Sequence, residues 1–220
     1  MKLIKNPYLL RFFNSNSLAD IAPVFDNYKS VRYRNKEITE SMGCLRAIDF
    51  TDFDPKDLEV ECFIIGDGTR ARTGFIFAYF TSWWVTSIDP LLDMNWFNKY
   101  YIFKRDEGHT VRRLSLCDTT VEDFSSPINF GKKTLLVLPH SHADISACLT
   151  KFRVPVSIIS LPCCTKTPSR LRGPEAVENH NYITYQDRHI ITSKSDIHIW
   201  KDLDLKRYQE LGGEHDVSIL

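Results

Sequence analysis

No run in this sequence approaches the roughly 20 uninterrupted apolar residues that a membrane-spanning helix needs, so no span is expected. Net charge is absent too: 28 basic residues face 28 acidic ones. That balance removes any global pull toward nucleic acid or an anionic membrane and leaves only local patches as candidates. The opening residues MKLIKNPYLLRFF break their apolar run at Lys5, Asn6 and Pro7, a poor pattern for a signal peptide. The cysteines, at 44, 62, 117, 148, 163 and 164, are scattered or adjacent rather than framed for bridging. A reducing, cytoplasmic setting is the expectation from that usage. Cys62 and Cys117 fall inside apolar runs, where a thiol behaves as a small hydrophobe. There is no internal repeat and no low-complexity tract.

What the sequence does have is enough apolar material, 43% of 220 residues, for a sizeable core. Residues 1–58 read as a helical extension. Leu18 to Tyr28 has helical spacing interrupted by Pro23, and Lys36 to Ile48 sets Ile38, Met42 and Leu45 on one face. Residues 59–220 alternate strand and helix. Strands are expected at Val60–Ile65, Trp84–Ile88, Arg113–Cys117, Thr134–Leu138 and Pro155–Leu161, with helices at Thr73–Phe80, Asp93–Tyr101 and Ala143–Phe152. Such alternation implies parallel pairing by right-handed crossovers. Short β-rich runs at Tyr182–Tyr185, His189–Ile191 and Asp196–Trp200 suit a terminal hairpin, and polar Thr165–His180 suits a loop or lid. The expected fold is therefore α/β: a doubly wound, mostly parallel Rossmann-like sheet with a C-terminal antiparallel hairpin and an N-terminal helical extension.

The strongest chemical signal is the strand, turn and helix around Gly66-Asp67-Gly68-Thr69. Glycines let the backbone turn sharply and approach a ligand, and the helix that follows offers amides without partners. Asp89 lies 21 positions after Gly68, at the end of the next expected strand. Folds that bind sugar-linked bases place an acid there to hold ribose hydroxyls. A tight ligand-free turn, with Asp89 capping a helix, explains the same residues.

The segments IIGDGTRARTG, SIDP, LCDTTVEDF and LLVLPHSHAD, in this order, resemble the sheet of class I S-adenosylmethionine-dependent methyltransferases over about residues 58 to 200. The resemblance implies S-adenosylmethionine as cofactor, lying over Gly66, Asp67, Gly68 and Thr69. It further implies ribose on Asp89, adenine near Asp118, and His140 and His142 at the edge of an acceptor pocket. The pattern departs from the family at Ile64, where an acid is usual, and at Arg70, where a third glycine is usual. It departs again after the fourth strand, where Pro139-His140-Ser141-His142 replaces the amino-methylating motif. A non-enzymatic binding or scaffold module is one rival reading. A site for a phosphorylated nucleotide at Arg70 and Arg72 is another.

Two further groups of residues stand out. His140, His142, Cys163 and Cys164 follow the fourth and fifth expected strands, which the resemblance implies are neighbours, and could bind zinc, or supply a base or nucleophile; packing of a strand-end turn accounts for them as well. Lys29, Arg32, Arg34 and Lys36, interleaved with Tyr28 and Tyr33, could meet nucleic-acid phosphates and stack on bases. A solvated helix end carries the same charges.

Overall fold

Alternate residues of each central strand sort into two separate cores. Val60, Cys62 and Ile64 join one cluster with Leu135, Val137, Ile159, Leu161, Ile197 and Ile199. Their neighbours Phe63 and Ile65 join the other, with Leu136, Leu138, Ile158 and Trp200. A sheet covered on both faces requires strands apolar on both sides, and this is why the expected strands Val60–Ile65 and Thr134–Leu138 are apolar but for Glu61 and Thr134. The computed structural model describes residues 5–15, 18–26, 30–99, 113–125, 133–143, 145–152, 155–162, 182–192 and 195–210.

Strands β1 (Val60–Ile65), β2 (Trp84–Ile88), β3 (Leu114–Cys117), β4 (Lys133–Pro139) and β5 (Val156–Leu161) run parallel. The hairpin of β6 (Tyr182–Gln186) and β7 (Asp196–Leu203) adds on with β7 antiparallel to β5. The order is β3-β2-β1-β4-β5-β7-β6. The chain thus winds outward in both directions from β1 and β4, and the crevice beyond their carboxyl ends is where such sheets take ligands. This is the doubly wound, mostly parallel sheet with a C-terminal antiparallel hairpin that the sequence predicts.

Helices α1 (Pro7–Phe13), α2 (Leu18–Phe25), α3 (Val31–Arg46) and α4 (Arg72–Phe80) supply the first core, together with Phe97 of α5 (94–99). A 3-10 turn, Ala47–Phe50, leads from α3 toward β1. Helices α6 (Ile145–Lys151) and α7 (Leu205–Glu210) cover the opposite face, placing Ile145, Cys148, Leu149 and Tyr208 in the second core. Residues from both sides of position 58 share the first core, Ile38, Met42 and Ile48 packing with Val60 and Ile199.

The structure departs from the sequence reading in the helical extension and at the C-terminal end. Helix α3 starts at Val31 rather than Lys36, because the Ser30 hydroxyl caps it by accepting from the Arg32 amide at 3.2 Å. Its first turn is exposed and carries no apolar face, so periodicity could not register it. Helix α2 ends at Phe25, and Tyr28 lies outside the described residues. His189–Ile191 is a turn, not a strand. The Asp187 carboxylate accepts from the His189 amide at 2.9 Å, and Ile190 drops onto α3 where a Cβ on Gly43 would come within 2.6 Å of it. Strand β7 continues to Leu203, and α7 was not expected. The predicted loop or lid Thr165–His180 lies outside the described residues.

The buried Tyr8 hydroxyl donates to Asp187, which ties α1 to the end of β6. Tyr8→Phe should lower the free energy of unfolding by about 1–3 kcal/mol, since it removes the donor from a buried carboxylate. Urea denaturation should then show an earlier midpoint with an unchanged slope.

Candidate functional site

At the carboxyl end of β1 the chain must reverse into α4 within a few residues, and it does so through two left-handed glycines, Gly66 (φ +77°) and Gly68 (φ +70°). They are glycine for different reasons. A Cβ on Gly66 would come within 2.8 Å of Ser141 Oγ and 3.1 Å of Ser141 Cα, so the turn after β1 lies against the turn after β4. A Cβ on Gly68 would meet nothing within 4 Å. Only its backbone conformation demands glycine, and the space beside it is open.

Two carboxylates hold this turn from opposite sides. Asp67 points inward. Its Oδ1 accepts from the Thr73 amide at 2.8 Å, and its Oδ2 accepts from the Gly74 amide and the Ser87 hydroxyl, each at 2.8 Å. Those amides lie in the first turn of α4, whose own N-cap, Ala71, has φ +44° and gives no side-chain cap. Asp67 therefore caps α4 from outside the helix. Burial pushes its carboxyl up to about 6, against the opposing pull of the Gly74, Ser87 and Thr73 hydrogen bonds.

Asp89 holds the turn from the crevice side. The Gly66 amide donates to the Ile88 carbonyl at 2.9 Å and the Asp89 amide to the Cys117 carbonyl at 3.1 Å, which carries the β ladder past the strand ends. Asp89 Oδ2 accepts from the Gly68 amide and Oδ1 from the Leu91 amide, each at 2.7 Å. Each oxygen keeps lone-pair capacity for a further donor.

Two cavities, each of about 390 Å³, flank the glycine turn. The first lies between the turn and α3, with Lys36, Glu40, Arg72 and His140 in its wall. The second lies beyond β2 and β3, walled by Ile88, Asp89, Thr119 to Glu122, Ser141 and His142. Gly66 and His140 border both. His140 has φ +55°, a conformation that costs a non-glycine residue of order 1 kcal/mol or more and collects at functional sites.

The predicted site residues divide accordingly. Gly66, Gly68, Asp89 and His140 come together around the turn, and His142 borders the second cavity. Asp67 borders the first cavity, with both carboxylate oxygens engaged inside the turn. Thr69 and Asp118 are exposed and line neither cavity; the chain after β3 contributes Thr119 to Glu122 instead. Arg70 turns away, its guanidinium 4.0 Å from the Trp96 ring centre and 3.9 Å from Asp93. In the basic stretch, Arg34 faces Asp26 at 3.8 Å and Lys36 faces Glu40 at 3.4 Å, while Arg32 is exposed. Lys29, Cys163 and Cys164 lie outside the described residues, among which no group of three or more His, Cys, Asp or Glu is placed to hold a metal ion. No helix among the described residues is long and apolar enough to cross a membrane.

Glu40 was missed by the sequence reading. It sits on α3 with 2% of its surface exposed, and its carboxylate lies 2.9 Å from His140 Nε2. No sequence signal marked it, since helical spacing puts Glu40 on the side away from Ile38 and Met42.

No protein-family model and no curated protein matches the sequence. Among solved structures the chain is similar to a point mutant of MtNAS in complex with S-adenosylmethionine, at 11% identity and a TM-score of 0.45, over 84% of this chain and 72% of that one. It is similar to an rRNA methylase from Streptococcus thermophilus, at 13% identity and a TM-score of 0.44, over 80% and 99%. A proposed S-adenosyl-L-methionine-dependent methyltransferase from Methanococcus maripaludis gives 12% identity and a TM-score of 0.45, over 86% and 89%. Identities this low concern fold alone.

Because Asp67 binds a proton more tightly in the folded chain than in the unfolded one, its contribution to stability falls as pH rises from about 4 to about 6. Asp67→Asn should remove that dependence. Urea titrations between pH 4 and pH 7 should show wild type losing on the order of 2–3 kcal/mol relative to the variant, the size set by a shift of about two pH units.

Proposed function

We propose that this chain is a methyltransferase-like protein that binds S-adenosylmethionine across the carboxyl ends of β1 and β2. The observation that carries the reading is the meeting of Gly68 and Asp89, joined by a 2.7 Å hydrogen bond beside open space. Asp89 is nearly buried, lines the second cavity and keeps acceptor capacity on both oxygens, which suits the two hydroxyls of a ribose. The apolar ends of Ile65 and Ile88, with Val121, suit the face of a base.

The rival phosphate reading meets two obstacles at the turn itself. The Thr73 and Gly74 amides at the start of α4, which would otherwise face an anion, already hold Asp67. Arg70, the cation nearest the turn in sequence, is stacked on Trp96. A nucleotide phosphate near this turn would also meet the carboxylates of Asp67 and Glu40. S-adenosylmethionine brings no phosphate and, with a sulfonium and an ammonium against one carboxylate, a net positive charge toward these acids.

The bound cofactor would supply a methyl group on a positively charged sulfur. The protein's part is positional: Asp89 and Gly68 fix one end of the ligand, while the Gly66 turn, His140 and α3 close the space around the other. Fixing two reactants in line accounts for a large share of the rate in such transfers, so a strong base is not obligatory.

Calorimetry should show binding of S-adenosylmethionine and S-adenosylhomocysteine, and none of ATP or NAD at the same concentrations. Asp89→Ala should weaken S-adenosylhomocysteine by 10-fold or more, about 1.4 kcal/mol. Folded protein that ignores both sulfur compounds at millimolar concentration would rule the proposal out.

A further inference from the structure

Helix α3 buries one carboxylate that no hydrogen bond among the described residues satisfies. Glu40 faces the first cavity with 2% of its surface exposed, and neither of its oxygens has an aligned hydrogen-bond donor among the described residues. Lys36 Nζ approaches to 3.4 Å and His140 Nε2 to 2.9 Å, neither with hydrogen-bond geometry. Asp67, the other buried acid in this wall, is satisfied three times over. An interior acid left without donors costs free energy, so its retention calls for a ligand that brings them.

We propose that Glu40 seats a ligand's primary ammonium group in the cavity between α3 and the Gly66–Gly68 turn. An ammonium carries three donors and a positive charge, which answers both oxygens and the charge together. The cavity, of about 390 Å³, has room for a short aliphatic amine or amino-acid chain. This inference rests on the adenosyl reading of the second cavity, and the ammonium could come from the amino-acid end of that ligand or from an amine acceptor.

Four probes separate the possibilities on the full chain and on Glu40→Gln, read by calorimetry. S-adenosylhomocysteine carries ammonium and carboxylate, 5′-(3-aminopropylthio)-5′-deoxyadenosine carries ammonium alone, and 5′-methylthioadenosine carries neither. The fourth, 1,3-diaminopropane, is added to protein saturated with 5′-methylthioadenosine. If the ammonium belongs to the adenosyl ligand, Glu40→Gln weakens the first two by 10-fold or more and leaves 5′-methylthioadenosine unchanged. If it belongs to an acceptor, the three adenosyl affinities hold while diaminopropane binds wild type and not the variant. Either outcome supports the seat. Wild type and variant that bind all three adenosyl compounds alike, with no diaminopropane bound by either, overturn this inference and leave the adenosyl reading intact. Failure of every adenosyl compound to bind folded wild type overturns both. Unfolding midpoints of the ligand-free proteins establish that both are folded at the temperature of the titrations, so that a loss of binding reports on the seat and not on unfolding.

Discussion

The crevice depends on one buried carboxylate turned into the start of a helix. Asp67 satisfies the Thr73 and Gly74 amides and reaches Ser87 on β2, so one side chain joins β1, α4 and β2 where the chain changes direction. Gly74 is part of the same device, since a Cβ there would lie 2.1 Å from Ser87 Oγ. The arrangement persists although burial raises the carboxyl to about 6, because the amides at the start of α4 favour negative charge. With the inner side of the turn fixed, the Gly68 amide is left facing outward, and Asp89 takes it.

This division of labour explains how much of the site was legible. The glycine pair and the acid 21 positions later were readable because sharp turns restrict residue type and parallel crossovers restrict spacing. The strand-rich part was legible for the same kind of reason: strands buried on both faces leave continuous apolar runs, and β1 and β2 have the predicted bounds. The direction of a side chain at the turn was not legible. Asp67 and Thr69 flank Gly68, yet one faces inward to three donors and the other is exposed. Nothing in composition or spacing distinguishes them. Asp118 is a similar case: it directly follows β3 but is exposed, and Thr119 to Glu122 form the cavity wall instead.

The helical extension was harder to read because its chemistry is tertiary. The first turn of α3 is exposed and has no apolar stripe, so its charges read equally as a nucleic-acid contact or a solvated helix end. Once the helix is docked, two of those charges face acids: Arg34 lies 3.8 Å from Asp26 and Lys36 3.4 Å from Glu40. A phosphate backbone would find less free positive charge here than the sequence suggested. Glu40 looked like an ordinary helix residue until α3 was laid against α4 and the turn after β4, where Ser41 meets Thr73 at 3.0 Å and Glu40 meets His140.

These contacts bear on how the crevice selects ligands. Adenosyl, dinucleotide and nucleotide ligands share a base and a ribose, so Asp89 and the apolar wall beside it cannot tell them apart. Discrimination has to come from the first cavity, where the chain linked to the ribose would lie. There the helix amides are taken by Asp67, Arg70 is held on Trp96, and a second, unsatisfied carboxylate enters from α3. A pyrophosphate brings negative charge against carboxylates with those amides already occupied, whereas a cationic or zwitterionic chain brings the donors that Glu40 lacks. If the adenosyl proposal holds, the departures at Ile64 and Arg70 do not count against it, because charge selection would fall to the inward acid beside the turn and the helix packed against it and not to the turn's own sequence.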